Sequence, residues 1–91
     1  MASPAEVAVA LISEVLAGQL SVGRFCVLYE QHWNFNWPGR ESEATAEQFR
    51  WLFEVAIWYC PFPEVRAFIP NYTDEKQVLA VAQQVRAAVA A

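Results

Sequence analysis

One histidine, two cysteines and a set of carboxylates are the side chains here whose types could do chemistry. His32 is the only histidine of the chain. No nucleophile and base can be assembled around it, so the expected role is that of a polar surface or capping group near a helix end. Cys26 and Cys60 lie far apart with no C-x-x-C pair, and together with His32 they give no metal-ligand spacing. No cluster of bases adjoins either thiol to lower its pKa, which leaves small buried side chains in a reducing compartment as the expectation. Gly18, Gly23 and Gly39 read as a helix end, a first turn and a loop, not as a loop that cradles phosphate. The chain is therefore expected to be no enzyme and to hold no metal or cofactor.

Two other features ask for an explanation. Glu41, Glu43, Glu47 and, two turns on, Glu54 gather along the start of an aromatic helix. The ordinary reading is a solvated face whose charges favour a helix start. The second feature is an excess of large rings that includes Trp33, Trp37, Trp51, Trp58 and Tyr59. Core is the ordinary reading, and it suits about half of them. A bundle this small cannot hide them all. Exposed aromatics edged with carboxylates match the composition of a protein–protein hot spot, and a basic partner is the complement.

The positions around these residues set what must hold them. From Gln48 to Pro61, Phe49, Leu52, Phe53, Ala56 and Ile57 recur at spacings of three and four and fall on one helix face. Trp51, Val55, Trp58 and Tyr59 occupy the other side, where a surface helix is normally polar. This helix is expected to be both the middle of a bundle and the wall of a binding surface.

Length and composition bound the rest. Ninety-one residues with 56% apolar and 18% charged side chains predict one folded domain over 1–91. Ten acidic against six basic residues give a net charge of −4, which disfavours nucleic acid and anionic membrane as partners. The Met-Ala-Ser-Pro-Ala-Glu start lacks the basic and apolar regions of a signal peptide, and no stretch reaches the roughly 18 apolar residues of a membrane span. A cytoplasmic location is the expectation.

Capping signals divide the chain. Ser3-Pro4-Ala5-Glu6 predicts a helix start and Gly18 its end. Ser21, with Leu20 and Phe25 as a hydrophobic staple, predicts the next start, and Pro38-Gly39 its end. Thr45 and Gln48 read as a capping box for the aromatic helix, and Pro61-Phe62-Pro63 breaks it. One turn near Glu64–Phe68 is expected, with Phe62, Phe68 and Ile69 tucked onto the bundle. Thr73 is expected to cap the last helix, whose inner face is Val78, Val81, Ala82, Val85 and Val89. The prediction is all-α, an antiparallel four-helix bundle with helices over about 4–17, 22–35, 46–60 and 74–90.

The pattern Leu11-Ile12, Leu16-Ala17-Gly18-Gln19-Leu20-Ser21, Phe25 and Tyr29-Glu30 resembles the opening helix pair of the colicin D immunity protein family. Leu52-Phe53-x-x-Ala56, Pro61, Arg66-Ala67 and Tyr72-x-Asp74 continue the likeness in the same order across nearly the whole chain. The resemblance implies a four-helix antiparallel bundle that neutralises a toxin domain made by the same bacterial cell. In the colicin D case the toxin is a tRNA-cutting nuclease, whose basic cleft is blocked by acidic groups standing where RNA phosphates lie.

The sequence departs from that pattern where the family's acids cluster: Ile57, Cys60 and Phe62 stand there, and only Glu64 keeps a carboxylate. The acid has moved to Glu41, Glu43, Glu47 and Glu54, or recognition is more aromatic. The residues expected to bind a basic toxin domain are Glu47, Glu54, Glu64, Trp58 and Tyr59, with Trp37 and Glu43 as secondary contacts. The free chain is expected to be a monomer or weak dimer. The alternative is a homo-oligomeric helical module without a toxin partner, joined through Trp51, Trp58 and Tyr59.

Overall fold

Ser3 opens the first helix as its neighbours predict. Its hydroxyl accepts from the Glu6 N–H (3.2 Å), the Glu6 carboxylate accepts from the Ser3 N–H (3.4 Å), and Pro4 holds the first helical position. The computed structural model describes residues 3–36, 42–69 and 72–90, and over these the chain is all-helical. Its helices are α1 (Pro4–Leu16), α2 (Val22–Asn36), α3 (Glu43–Ile57), the single turn α4 (Pro63–Arg66) and α5 (Glu75–Ala90).

Gly18 ends α1 with φ +78°, a left-handed conformation that costs any residue with a Cβ. The Gln19 N–H donates to the Glu14 carbonyl (3.0 Å) and the Gly18 N–H to the Val15 carbonyl (3.2 Å), the paired bonds of a Schellman close. Ser21 then caps α2 by accepting from the Arg24 N–H at 3.1 Å.

Two caps differ from expectation by one choice each. Ser42, not Thr45, begins α3: its hydroxyl oxygen accepts from the Thr45 N–H (3.3 Å), so the helix starts at Glu43. Asp74, not Thr73, begins α5, through a reciprocal pair in which the Gln77 N–H donates to Asp74 and the Asp74 N–H to Gln77, both at 2.9 Å.

One core joins the four long helices. Ala8, Ile12 and Val15 of α1, Phe25, Cys26 and Tyr29 of α2, Phe49, Leu52 and Ala56 of α3, and Val78, Val81, Ala82 and Val85 of α5 are buried in it. Helix α1 packs on α2 and α5, and α3 packs on the same two. Ile57, read with the core-facing set, is exposed instead. Phe62 and Phe68, expected to tuck onto the bundle, are also exposed, Phe68 at 84%. His32 errs in the opposite direction. It is buried, and its Nε2 donates to the Pro4 carbonyl at 2.7 Å, tying the end of α2 to the start of α1. The nitrogen on that carbonyl must carry a proton, since a carbonyl only accepts.

The Tyr29 ring lies 5.4 Å from that of Phe25, and its hydroxyl donates to the Phe49 carbonyl at 2.8 Å within the core. Burial pushes this phenol's pKa upward, so it stays a donor. Tyr29→Phe keeps the ring and removes the bond; the expected loss is about 1–2 kcal/mol of unfolding free energy. A urea titration checks it: the midpoint falls with the slope unchanged, and an unmoved midpoint contradicts this role for the hydroxyl.

Candidate protein-docking face

Helix α3 is two-sided because its buried and exposed residues follow separate helical rows. Phe49, Leu52 and Ala56 fill the core. Glu43, Glu47, Trp51, Glu54 and Trp58 succeed one another at spacings of four, four, three and four. At about 100° per residue these five fall within about 80° of arc, and along the axis they span about 22 Å. All five are exposed, the indoles of Trp51 and Trp58 at 39% and 46%. Acid and indole alternate along the half of the stripe nearest the helix end.

Trp58 lies one residue beyond α3, so its place depends on the connector to α5. The Thr73 N–H donates to the Trp58 carbonyl (2.8 Å) and the Cys60 N–H to the Thr73 carbonyl (3.1 Å). Together they form a parallel bridge between Tyr59 and Thr73. The Thr73 hydroxyl donates to the Val55 carbonyl at 2.7 Å, one of the carbonyls a helix end leaves unpaired. This use of the side chain explains why Asp74 takes the cap. Arg66 closes the loop from α4: its Nε donates to the Cys60 carbonyl at 3.0 Å, while its guanidinium lies over the Tyr72 ring at 5.3 Å. Phe62 (57%), Val65 (40%) and Phe68 are exposed on this tied connector.

The expected site residues divide. Glu43, Glu47, Glu54 and Trp58 share the α3 stripe. Glu64 lies apart, in the first turn of α4 and exposed. Tyr59 is half-buried against the core, with its ring edge near Gly23. Its phenol is raised by burial first and by Glu75 next, with Arg66 opposing. Trp37 and Glu41 lie outside the described residues. Trp33 is half-buried against the core, stacked on Phe53 with ring centres 5.5 Å apart. Trp51 is the stripe residue absent from the expected toxin contacts, and its spacing from Glu47 and Glu54 was the available signal. Phe62 and Phe68 had none, since ring exposure depends on tertiary packing.

The buried titratable groups are suited to packing. Burial, aided by Glu30, pushes the Cys26 thiol up to about 12, where it is protonated at neutral pH and a poor nucleophile. Burial also raises the Glu30 carboxyl. Among the described residues no group of three or more His, Cys, Asp or Glu is placed to hold a metal ion, and no helix is long and apolar enough to cross a membrane. Comparison with protein families, curated proteins and solved structures gives no match to this chain.

Proposed function

We propose that this chain is a bacterial immunity protein of the colicin D immunity type, which binds and neutralises a cognate toxin domain in the cytoplasm. Its four long helices form an antiparallel bundle, and α3 with its connector presents the docking face. One observation carries the reading: Trp51 and Trp58 stand exposed on one helical row with Glu43, Glu47 and Glu54. Exposed indoles offer large apolar area, and the carboxylates between them select a cationic surface. The partner is a basic domain, as a nuclease cleft must be to hold phosphates, and inhibition is by occupancy. Protection from a lethal enzyme requires slow release, hence a dissociation constant in the nanomolar range or below, roughly −12 kcal/mol.

Self-association through the same face is disfavoured, because pairing two such stripes sets carboxylate rows on one another with Arg50 at their edge as the one base α3 supplies. Sedimentation of the free chain is expected to give a monomer. A stable dimer abolished by Trp58→Ala would favour the oligomeric alternative.

The direct test is survival. The C-terminal domain of the upstream reading frame, expressed alone, is expected to arrest growth, and co-expression of this chain to restore it. Purified, the pair should associate fast at low salt. Glu47→Lys should slow association about tenfold or more, with most of the difference lost at high salt. No protection, or an association rate indifferent to Glu47→Lys, removes this face from the reading.

A further inference from the structure

We infer that the α3 face reads arginine rather than lysine, gripping two guanidinium groups about 10 Å apart through the repeated pairs Glu47–Trp51 and Glu54–Trp58. The inference rests on the docking reading above and specifies the chemistry of the partner. In each pair the carboxylate precedes the indole by four residues, which puts their Cβ atoms about 5–6 Å apart on the helix surface. A guanidinium is flat and weakly hydrated. It can lie with its face on an indole while its edge N–H groups donate to the adjoining carboxylate, because face and edge serve different partners. An ammonium is a compact, strongly hydrated charge with no such division, so it gains from one neighbour and stays wet at the other.

The molecule shows the division of face and edge once already, with a tyrosine ring and a backbone carbonyl as the partners. Arg66 lies over the Tyr72 ring at 5.3 Å while its Nε donates to the Cys60 carbonyl at 3.0 Å. That arginine is satisfied within the chain. The α3 pairs have the ring and the oxygens but, among the described residues, no guanidinium held between them. Arg50 flanks the stripe, yet among the described residues neither Glu47 nor Glu54 is held in an ion pair. The two pairs repeat after seven residues, so arginines seven apart on a helix, or three apart on a strand, match the spacing. A second copy of this chain is the poorer occupant, since it brings a net charge of −4 and the same acidic row.

Alanine-rich helical peptides provide the probe. One carries two arginines seven residues apart, one carries lysines at those positions, and one carries its arginines ten apart, which turns them to different faces. Binding is followed at low salt through the indole N–H signals of the 15N-labelled full-length chain. The expected result is at least tenfold tighter binding of the matched arginine peptide than of the other two. The largest shifts should fall on the Trp51 and Trp58 indoles, and Glu47→Gln with Glu54→Gln should remove the preference. Equal affinity for arginine and lysine, shifts centred on other indoles, or no binding of the arginine peptide overturns the inference. None of these outcomes decides the survival experiment, which uses the whole toxin domain, so the failure of one reading is distinguishable from the failure of the other.

Discussion

Phe49→Ala is expected to lower the unfolding free energy by about 3–5 kcal/mol. Phe49 is fully buried, and three elements meet on it. Its ring fills the inner face of α3, its carbonyl receives the Tyr29 hydroxyl of α2, and beside it Ala5 and Val9 of α1 approach Val89 of α5. Those last residues, with Phe49, line an open groove of about 550 Å³. Truncation deepens an existing gap that the neighbouring small side chains cannot close, so relaxation recovers little of the lost contact. A domain of this size has about 5–15 kcal/mol in total. The variant should therefore melt far below the parent and show a fraction unfolded at 37 °C by circular dichroism. Phe68→Ala provides the comparison, because a ring exposed at 84% has little to lose, about 0.5 kcal/mol at most. A Phe49→Ala variant within about 1 kcal/mol of the parent would show that the four helices do not depend on this junction.

Local signals predicted the elements well wherever the deciding partner lies within a turn. Gly18 and Ser21 act as their neighbours require, since a Schellman close and an N-cap involve residues three to five positions away. Trouble begins where two such signals overlap. Ser42-x-x-Thr45 and Thr45-x-x-Gln48 are both capping patterns, and the earlier one adds nearly a turn to α3. Thr73-Asp74 holds two competent caps, and the Val55 carbonyl decides between them by engaging the threonine hydroxyl from 18 residues away. His32 lacked any local cue for burial, because its partner is the Pro4 carbonyl 28 residues back. The candidate face was legible for the same reason as the caps. Glu47, Trp51, Glu54 and Trp58 are related by helical spacing alone, and the core residues opposite them settle which way that row points. What spacing could not show is the connector, whose bridge and Arg66 contacts place Trp58 at the end of the row.

Trp51→Ala with Trp58→Ala should weaken toxin binding by about 1,000-fold or more while lowering stability by about 2–4 kcal/mol, so binding is read where both variants stay folded. An indole anchoring a protein interface costs about 2 kcal/mol or more on truncation, and two together about 4 kcal/mol, which is three decades in the dissociation constant. Each ring is more than half covered within the chain, so part of its area serves folding and only the exposed part is available to a partner. The loss should fall on the dissociation rate, because apolar contacts form after encounter and hold the complex together. Glu47→Gln with Glu54→Gln should act mainly on association and fade as salt rises, because exposed charges steer from a distance and are screened. Stopped-flow association and competition dissociation, run on the same four substitutions at two salt concentrations, separate these behaviours. If the indole variants dissociate no faster than the parent, the rings are not anchors, and the carboxylates alone cannot hold a complex that must outlast the toxin. If the carboxylate variants change only the dissociation rate, the acids are buried contacts rather than a steering field.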